Sequence, residues 1–331
     1  MRYRCAWTGP VVAACVAAAI TVSIAVPAAF ADETDNFSCR ARLTVDALAV
    51  LDRQVNDLIQ LAVDRANLKG PGCDDGCLAR ELRRQVGASA PAPATLIPHS
   101  RLALRVTRRD DVDRCRLRFS ESFYGARPYD QPWLYLVTHR VIFVADSILL
   151  SGRVVGVDKI DHFIREGQAH YDDVERGRDL GDILRDELGR ESRPLAMTEY
   201  GLKGRALTGV VSYADLAAGY AGFQFWRDLL TVDRPGSFVA YDATTLRFVL
   251  ARRFSFATYV TDAWDEAINR SVFHPALGRE VEQALRAGAF APIDCRRLAQ
   301  LPDAWLYVNP QCLFEEFMSP WSFRLYFARS L

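Results

Sequence analysis

The stretch from Asp158 to Tyr171 reads D-K-I-D-H-F-I-R-E-G-Q-A-H-Y and holds two of the chain's five histidines. His162, Glu166 and His170 recur at every fourth residue, so on a helix they form one slowly drifting stripe. On a helical wheel with about 100° between successive residues, one side of this helix is apolar. The residues within about 60° of Ile160 on that wheel are Ile160 itself, Phe163, Ile164, Gly167 and Tyr171. The pattern predicts a helix over residues 158–172 with a core face and a polar flank. Gly167 on the core face predicts close approach of another backbone.

Two imidazoles and a carboxylate are enough protein ligands for a zinc-type ion. The metal hypothesis therefore assigns His162, Glu166 and His170 as ligands of a divalent ion such as zinc. Glu166 could instead be the base that activates a metal-bound water. The zincin motif H-E-x-x-H is absent, so no known protease motif is present.

A metal-free hypothesis uses two carboxylates instead. Glu166 would be the general acid and Glu199 the counter-carboxylate in hydrolysis of a glycosidic bond of an envelope polymer. Both hypotheses need a second segment over the polar flank to exclude water, and residues 199–209 are the candidate. Without that cover, the three polar side chains would only decorate a solvated helix.

Two non-catalytic interpretations stay open, and the sequence does not decide whether the protein is an enzyme. In the first, the protein is an envelope binding or scaffolding component. In the second, the predicted helix 212–230 binds a partner protein through its aromatic stripe. That requires an exposed apolar patch. The stripe consists of Tyr213, Tyr220, Phe223 and Trp226. No residue is expected to bind an organic cofactor.

The N-terminus predicts export. Arg2 and Arg4 precede an apolar run from Val11 to Val26, and the small-x-small sequence Ala29-Phe30-Ala31 follows. This order is typical of a secretory signal peptide over residues 1–31. The composition, rich in Ala and in Arg over Lys, suggests a GC-rich bacterium, so we expect a periplasmic or extracellular protein. With 41 basic and 41 acidic residues, nucleic acid is not an expected partner, and no membrane span should remain after the leader is removed.

The cysteines and a linker predict the domain organisation. Residues 88–98 are rich in Pro and Ala and separate a helical N-terminal region (32–98) from a main helical domain (99–331). Outside the leader the cysteines are Cys39, Cys73, Cys77, Cys115, Cys295 and Cys312. An even number in an exported chain predicts disulfides. We expect Cys295 to pair with Cys312 and the four early cysteines to staple the N-terminal region. A zinc knuckle at Cys73 and Cys77 is the disfavoured alternative.

Periodicity predicts a mainly α fold, with a compact multi-helix domain and minor β-hairpin content. Helices are expected at 43–66, 78–86, 133–157, 158–172, 180–188, 212–230, 254–269, 275–287 and around 294–300, with a hairpin at 238–249. The segment 133–157 is strongly apolar but contains His139, Arg140 and Asp146, which favours a buried amphipathic helix over a membrane span. Ser212 and Asp215 form a capping-box-like start for the helix 212–230.

Three motifs resemble those of a group of exported bacterial proteins of unassigned activity. They are D-K-x-x-H-F at 158–163 with Gly167 and Tyr171, G-V-V-S-Y-A-D-L at 209–216, and W-D-E-x-x-N at 264–269. The resemblance covers residues 155–275. It implies that the segments carrying these motifs form one packed unit. It implies no activity, cofactor or catalytic residue.

Overall fold

The computed structural model describes residues 33–91, 98–100, 102–103, 110–118, 121–122, 144–188, 198–199, 209–273, 278–279, 283 and 295–317. The predicted signal peptide, most of the Pro/Ala linker and most of the predicted helix 275–287 lie outside these residues. So do residues 133–143 and the interior of the candidate covering segment 199–209.

Helices dominate the described part of the chain, which confirms the mainly α, multi-helix prediction at the level of fold class. The helices are α1 Leu48–Leu68, α2 Asp75–Val86, α3 Val157–Asp161, α4 Gly167–Glu175, α5 Leu180–Glu187, α6 Tyr213–Leu230 and α7 Pro310–Phe317. A π-helical turn, His162–Glu166, joins α3 to α4. We call these three consecutive segments, residues 157–175, the histidine helix. Ser212 caps α6 as predicted, because its Oγ accepts a hydrogen bond from the backbone N–H of Asp215 at 3.2 Å.

The strands are short and form small sheets. They are β1 Glu33–Thr34, β2 Ser89–Pro91, β3 Pro98–Ser100, β4 Arg114–Cys115, β5 Val144–Ala145, β6 Ser147–Leu150, β7 Arg153–Gly156, β8 Val210–Val211, β9 Val239–Asp242, β10 Arg247–Leu250 and β11 Val272–Phe273. β1 pairs parallel with β5; the antiparallel pairs are β2–β3, β8–β11 and β9–β10, and β4–β6–β7 form a three-stranded antiparallel sheet. The β9–β10 pair confirms the predicted hairpin.

The predicted helix 133–157 is wrong over its described part, since residues 144–156 form β5, β6 and β7. Ser151 and Gly152 interrupt the apolar run with φ values of 53° and 74°, the left-handed backbone of a tight hairpin turn. Asp46 holds this turn by accepting hydrogen bonds from the N–H groups of Ser151 and Gly152 at 3.0 and 2.7 Å. The Ser151-Gly152 pair between two aliphatic runs therefore marked the β6–β7 hairpin in the sequence.

The predicted helix 254–269 is also wrong. The segment contains two 3₁₀ turns, Phe256–Thr258 and Asp262–Trp264. The hydroxyls of Ser255 and Thr261 accept hydrogen bonds from backbone N–H groups two residues later, at 3.2 and 3.3 Å. Such side-chain bonds compete with helical hydrogen bonding, so the chain turns repeatedly instead of continuing one helix.

The histidine helix crosses α6 at a pair of glycines. A Cβ added to Gly222 would overlap the carbonyl oxygen of Phe163, and one added to Gly167 would overlap the backbone of Gly222. The indole N–H of Trp226 donates to the carbonyl oxygen of Ile164 at 2.7 Å. The two backbones are therefore in direct contact, which confirms the close approach predicted at Gly167.

An aromatic cluster fills the core beneath this crossing. The ring of Phe163 lies 5.0 Å from that of Phe225, 5.3 Å from that of Phe256 and 5.5 Å from that of Trp264, centroid to centroid. Trp226 is fully buried as well. The aromatic side chains of α6 therefore serve mainly as core, which removes the main support for a partner-binding surface on this helix.

The cysteines pair as Cys39–Cys115, Cys73–Cys77 and Cys295–Cys312. The local pairing of the two late cysteines is thus confirmed. Of the four early cysteines, Cys73 and Cys77 pair within the predicted N-terminal region 32–98, whereas the Cys39–Cys115 disulfide links that region to the predicted main domain. Cys73 and Cys77 form a disulfide where a zinc knuckle was the alternative. Among the helices of the described residues, none combines the length and the apolar character needed to cross a bilayer.

The glycine crossing generates a stability prediction. Gly222→Ala should lower the free energy of unfolding by about 1–3 kcal/mol or more, because the new methyl group meets backbone that cannot rotate away. Urea denaturation followed by circular dichroism measures this. Gly76→Ala is the matched control: its Cβ has no neighbour closer than 3.5 Å, so it should be neutral or slightly stabilising. Equal effects of the two substitutions would contradict the proposed packing.

Candidate functional site

The centre of the site is a lysine that has no exposed surface. Lys159, on α3, is 0% exposed. Its Nζ lies 2.7 Å from Oδ2 of Asp158 and 2.6 Å from Oε1 of Glu266, and it also contacts Oδ1 of Asp215. The ammonium group donates hydrogen bonds to Asp158 and Glu266, whereas its contact with Asp215 is an ion pair without the alignment of a hydrogen bond. We call these four residues the lysine cage.

Local structure fixes each carboxylate of the cage. Asp158 lies in the first turn of α3, and its Oδ1 accepts a hydrogen bond from the hydroxyl of Thr34 at 2.8 Å. Asp215 lies in the first turn of α6. Glu266 follows the 3₁₀ turn at Trp264 and accepts a hydrogen bond from the hydroxyl of Ser212 at 3.0 Å. The cage therefore joins the histidine helix, α6 and residues 262–269, which we call the Trp264 segment, and Thr34 connects β1 to it. The three motif-bearing segments thus pack against one another, as the motifs implied.

Burial and charge determine the protonation of the cage. Burial alone would lower the pKa of Lys159, but the charges of Asp158, Asp215 and Glu266 outweigh it, and the pKa lies well above its ordinary value. Burial raises the pKa of Glu266 to about 7; Lys159 opposes this shift, and the charges of Asp215 and Asp158 add to it. Burial, together with the negative charges of Asp215 and Asp158, therefore places the pKa of Glu266 near neutral pH.

Asp215 extends the cage to the histidine stripe. The other oxygen of Asp215, Oδ2, lies 3.3 Å from Nε2 of His162, and Oε2 of Glu166 lies 2.7 Å from Nδ1 of the same ring. The Glu166 contact is an ion-pair contact without the alignment of a hydrogen bond. Burial would lower the pKa of His162, but the charges of Asp215, Glu166 and Glu199 raise it well above its ordinary value. The imidazole is thus held between carboxylates on both sides.

Glu199 approaches the stripe from a separate segment. It is 2% exposed, and its Oε2 accepts a hydrogen bond from the backbone N–H of Ser212 at 3.5 Å. This contact places the carboxylate at the N-terminus of α6, where the helix dipole stabilises negative charge. Glu199 and α6 together cover the polar flank. His162 and Glu166 are therefore not on a solvated face.

Two groups of side chains have the spacing of metal ligands. One consists of His162, Glu166 and Glu199, and the other of Asp158, His162 and Asp215. In each group the ligand atoms lie within 4.8 Å of one another. Glu166 and Glu199, predicted as a carboxylate pair, thus meet at His162.

His170, the third predicted metal ligand, belongs to neither group. It is 3% exposed, and its Nε2 lies 3.8 Å from Oε1 of Glu187 on α5. Glu199 and Asp215, rather than His170, lie beside His162. The ligand set His162, Glu166 and His170 therefore stays a prediction, and the geometry favours Glu199 in the place of His170.

The π-helical turn lies where the candidate ligands lie. It begins at His162 and ends at Glu166. π-Helical turns are rare in proteins overall, and those that occur are often located at functional sites.

Comparisons of the chain with protein-family models, with curated proteins and with solved structures find no match. The chemistry of the site therefore has to be inferred from its own geometry.

Sequence reasoning did not find the cage itself. One signal was available: Lys159 is one of three lysines among 41 basic residues, and it directly precedes the core residue Ile160. A compact ammonium suits three converging carboxylates better than a planar guanidinium does, so a lysine beside a core residue in an arginine-rich chain was a usable signal. Asp215 and Glu266 lie in the quoted motifs, but nothing in their spacing shows that they meet Lys159.

The cage predicts a large loss of stability on removal of its cation. Lys159→Met should lower the free energy of unfolding by about 3–5 kcal/mol, because it leaves buried carboxylates without their counter-charge. Lys69→Met is the matched control, since Lys69 pairs with Glu81 at 2.8 Å but is about half exposed; it should cost at most about 1 kcal/mol. Urea denaturation of both variants tests this, and similar losses would argue against the cage.

The raised pKa of Glu266 predicts a pH dependence. In the folded state the pKa of Glu266 is raised to about 7, above its ordinary value. The folded state therefore binds this proton more tightly than the unfolded state does. The resulting stabilisation is complete below the ordinary pKa of Glu and is lost as the pH rises through about 7. Between pH 5 and pH 8 the free energy of unfolding should therefore fall less steeply in Glu266→Gln than in the wild type. Denaturation series at several pH values measure this. Glu175→Gln, an exposed position at the end of α4, should follow the wild-type curve; parallel curves for all three proteins would refute the assignment.

Proposed function

We propose that the protein binds a divalent ion of the zinc class on His162, Glu166 and Glu199. One imidazole and two carboxylates are a ligand set that zinc accepts. The observation that carries the proposal is the orientation of His162. Its Nδ1 faces Glu166, while its Nε2 faces Asp215. A ring nitrogen directed at a carboxylate outside the ligand set is the usual support of a metal-bound histidine, because it fixes the tautomer and the ring orientation.

The other group of close side chains is the weaker candidate. Asp158 and Asp215 already pair with the ammonium of Lys159, so an ion bound between them would have to compete with a fixed cation. The carboxylates of Glu166 and Glu199 lie outside the lysine cage. Asp215 then has two partners: it pairs with Lys159 through one oxygen and orients His162 through the other.

We further propose that the bound ion supports hydrolysis of an envelope polymer by an exported protein. An ion with three protein ligands keeps a position for water and lowers the pKa of that water. The disulfides are compatible with an oxidising compartment. The metal-free alternative, with Glu166 and Glu199 acting on a glycosidic bond, is less favoured because both carboxylates converge on one imidazole. A sugar would have to lie between two such carboxylates.

A non-catalytic binding or scaffolding role is the second candidate, and one observation favours it. The lysine cage joins three segments through a fully buried cation. Such a network can specify a unique fold without any chemistry. In that case His162 would be a buried imidazolium held by its carboxylates and would bind no metal.

Zinc binding separates these proposals. Untagged protein washed with chelator and dialysed against Zn²⁺ should retain zinc, and His162→Ala should retain one equivalent less, as measured by elemental analysis and isothermal titration. Glu199→Gln should weaken this binding, whereas Glu175→Gln, at the exposed C-terminal end of the histidine helix, should behave like the wild type. If His162→Ala retains as much zinc as the wild type, this site is not the metal site, and the scaffolding role is favoured.

A further inference from the structure

We propose that Glu266 controls the affinity of the zinc site from outside its ligand set, strengthening zinc binding when its carboxyl group is ionised. The inference rests on the proposed function, because the ligands stay His162, Glu166 and Glu199. Glu266 belongs to neither group of side chains with metal-ligand spacing. It therefore acts through its contacts, as a positioning residue.

One connection from Glu266 to the site runs through Lys159. Oε1 of Glu266 accepts a hydrogen bond from Nζ of Lys159 at 2.6 Å. The same ammonium contacts Oδ1 of Asp215, whose other oxygen lies 3.3 Å from Nε2 of His162. When Glu266 is neutral, Lys159 has one carboxylate fewer to compensate its charge and attracts Asp215 more strongly. Asp215 then supports the imidazole less, which weakens a metal-bound histidine.

A second connection runs through Ser212. Its hydroxyl donates a hydrogen bond to the same oxygen, Oε1 of Glu266, at 3.0 Å. Its backbone N–H donates to Oε2 of Glu199 at 3.5 Å. Hydrogen bonds to an ionised group are roughly twice as strong as those between neutral groups. An ionised Glu266 therefore holds Ser212, and with it the N–H that places Glu199, more firmly than a neutral Glu266 does.

Both connections start at one oxygen of Glu266 and end at two ligands of the same proposed ion, His162 and Glu199. A change in the charge of Glu266 thus acts on two ligands at once. The negative charge itself acts in the same direction, because a carboxylate in an interior of low dielectric constant favours a nearby cation. All three effects make zinc binding tighter when Glu266 is ionised.

The surroundings of Glu266 place this change of charge near neutral pH. The charged groups that act on Glu266 come from α3 and α6, and they are Lys159, Asp158 and Asp215. Asp265, its neighbour in the chain, is paired with Arg40 at 2.7 Å. Burial raises the pKa of Glu266 to about 7, although Lys159 opposes the shift. Zinc binding and ionisation of Glu266 then favour each other, since coupling between two sites is reciprocal.

Isothermal titration of Zn²⁺ into the wild type and Glu266→Gln at pH 6 and at pH 8 tests the inference. Glutamine has nearly the shape of glutamate and stays neutral at both pH values, so it imitates the protonated form. The two proteins should bind zinc with nearly equal affinity at pH 6. At pH 8 the wild type should bind about fivefold more tightly or better, the lower end of coupling factors between sites. A merely structural role of Glu266 would weaken binding by the same factor at both pH values.

Glu81→Gln is the matched control. Glu81 is also a buried carboxylate, 5% exposed against 3% for Glu266, and it pairs with Lys69 and Arg84. Its substitution removes a buried negative charge outside the lysine cage. This variant should match the zinc affinity of the wild type at both pH values, and circular dichroism checks the fold of each protein.

A second pair of variants decides if Glu266→Gln does not fold. Ser212→Ala removes the hydroxyl group that contacts Glu266, whereas Ser212→Thr keeps a hydroxyl group and remains a good helix cap. The gain in zinc affinity between pH 6 and pH 8 should be smaller in Ser212→Ala than in the wild type. Ser212→Thr should retain the gain of the wild type.

The outcomes separate this inference from the proposed function. Suppose that zinc binding of the wild type is lost in His162→Ala, but Glu266→Gln differs from the wild type by the same factor at both pH values. The role of Glu266 is then refuted and the proposed function stands. If His162→Ala keeps the zinc, or if the wild type binds none, the proposed ligand set is refuted together with its control by Glu266.

Discussion

The buried ammonium of Lys159 imposes the main constraint on this structure. A charge without access to water is very costly unless it is paired and hydrogen-bonded, and Lys159 is compensated only where Asp158, Asp215 and Glu266 converge. Lys159 and Glu266 are 107 residues apart in the sequence. The native arrangement of the histidine helix, α6 and the Trp264 segment is therefore the one in which this charge is matched. Aliphatic packing alone would tolerate small shifts between the same elements, whereas the cage does not.

The same constraint positions the candidate ligands. Asp215 contacts Lys159 through one oxygen and His162 through the other, so the cation that holds the fold also fixes the carboxylate that orients the imidazole. Ser212 makes a second connection. Its hydroxyl donates to Glu266 in the cage, and its backbone N–H donates to Glu199 beside His162. The start of α6 thus sets the position of both carboxylates, and the stability of the core and the geometry of the site depend on the same few atoms.

Much of the fold follows from local patterns, and most of the site does not. The sequence predicted α6 and its Ser212 cap, the hairpin of β9 and β10 and the local disulfide, because each depends on residues close in sequence. The glycine at position 167 predicted a backbone contact but did not show that its partner is Gly222. The prediction failed at residues 144–156, where a Ser-Gly turn outweighs an apolar run that also suits a helix. The helical wheel placed His162 opposite the core, since a wheel assumes one buried face. In the structure the polar flank is covered as well, so that the side chains of His162 and Glu166 are each only 16% exposed. Only the approach of Asp215 and Glu199 from distant sequence positions shows this.

The polar flank of the histidine helix is covered because one face of α6 carries small residues. Asp215, Gly219 and Gly222 are spaced by four and three residues and lie on one face of that helix. Gly222 lets the backbones touch at Phe163 and Gly167, and Gly219 borders His170 and Glu166. With the backbones that close, Asp215, one turn earlier, reaches His162. Larger residues at the glycines would push α6 away and open the flank to water. The close packing of the two helices is thus what encloses the histidines, and the chemistry proposed for them requires that enclosure.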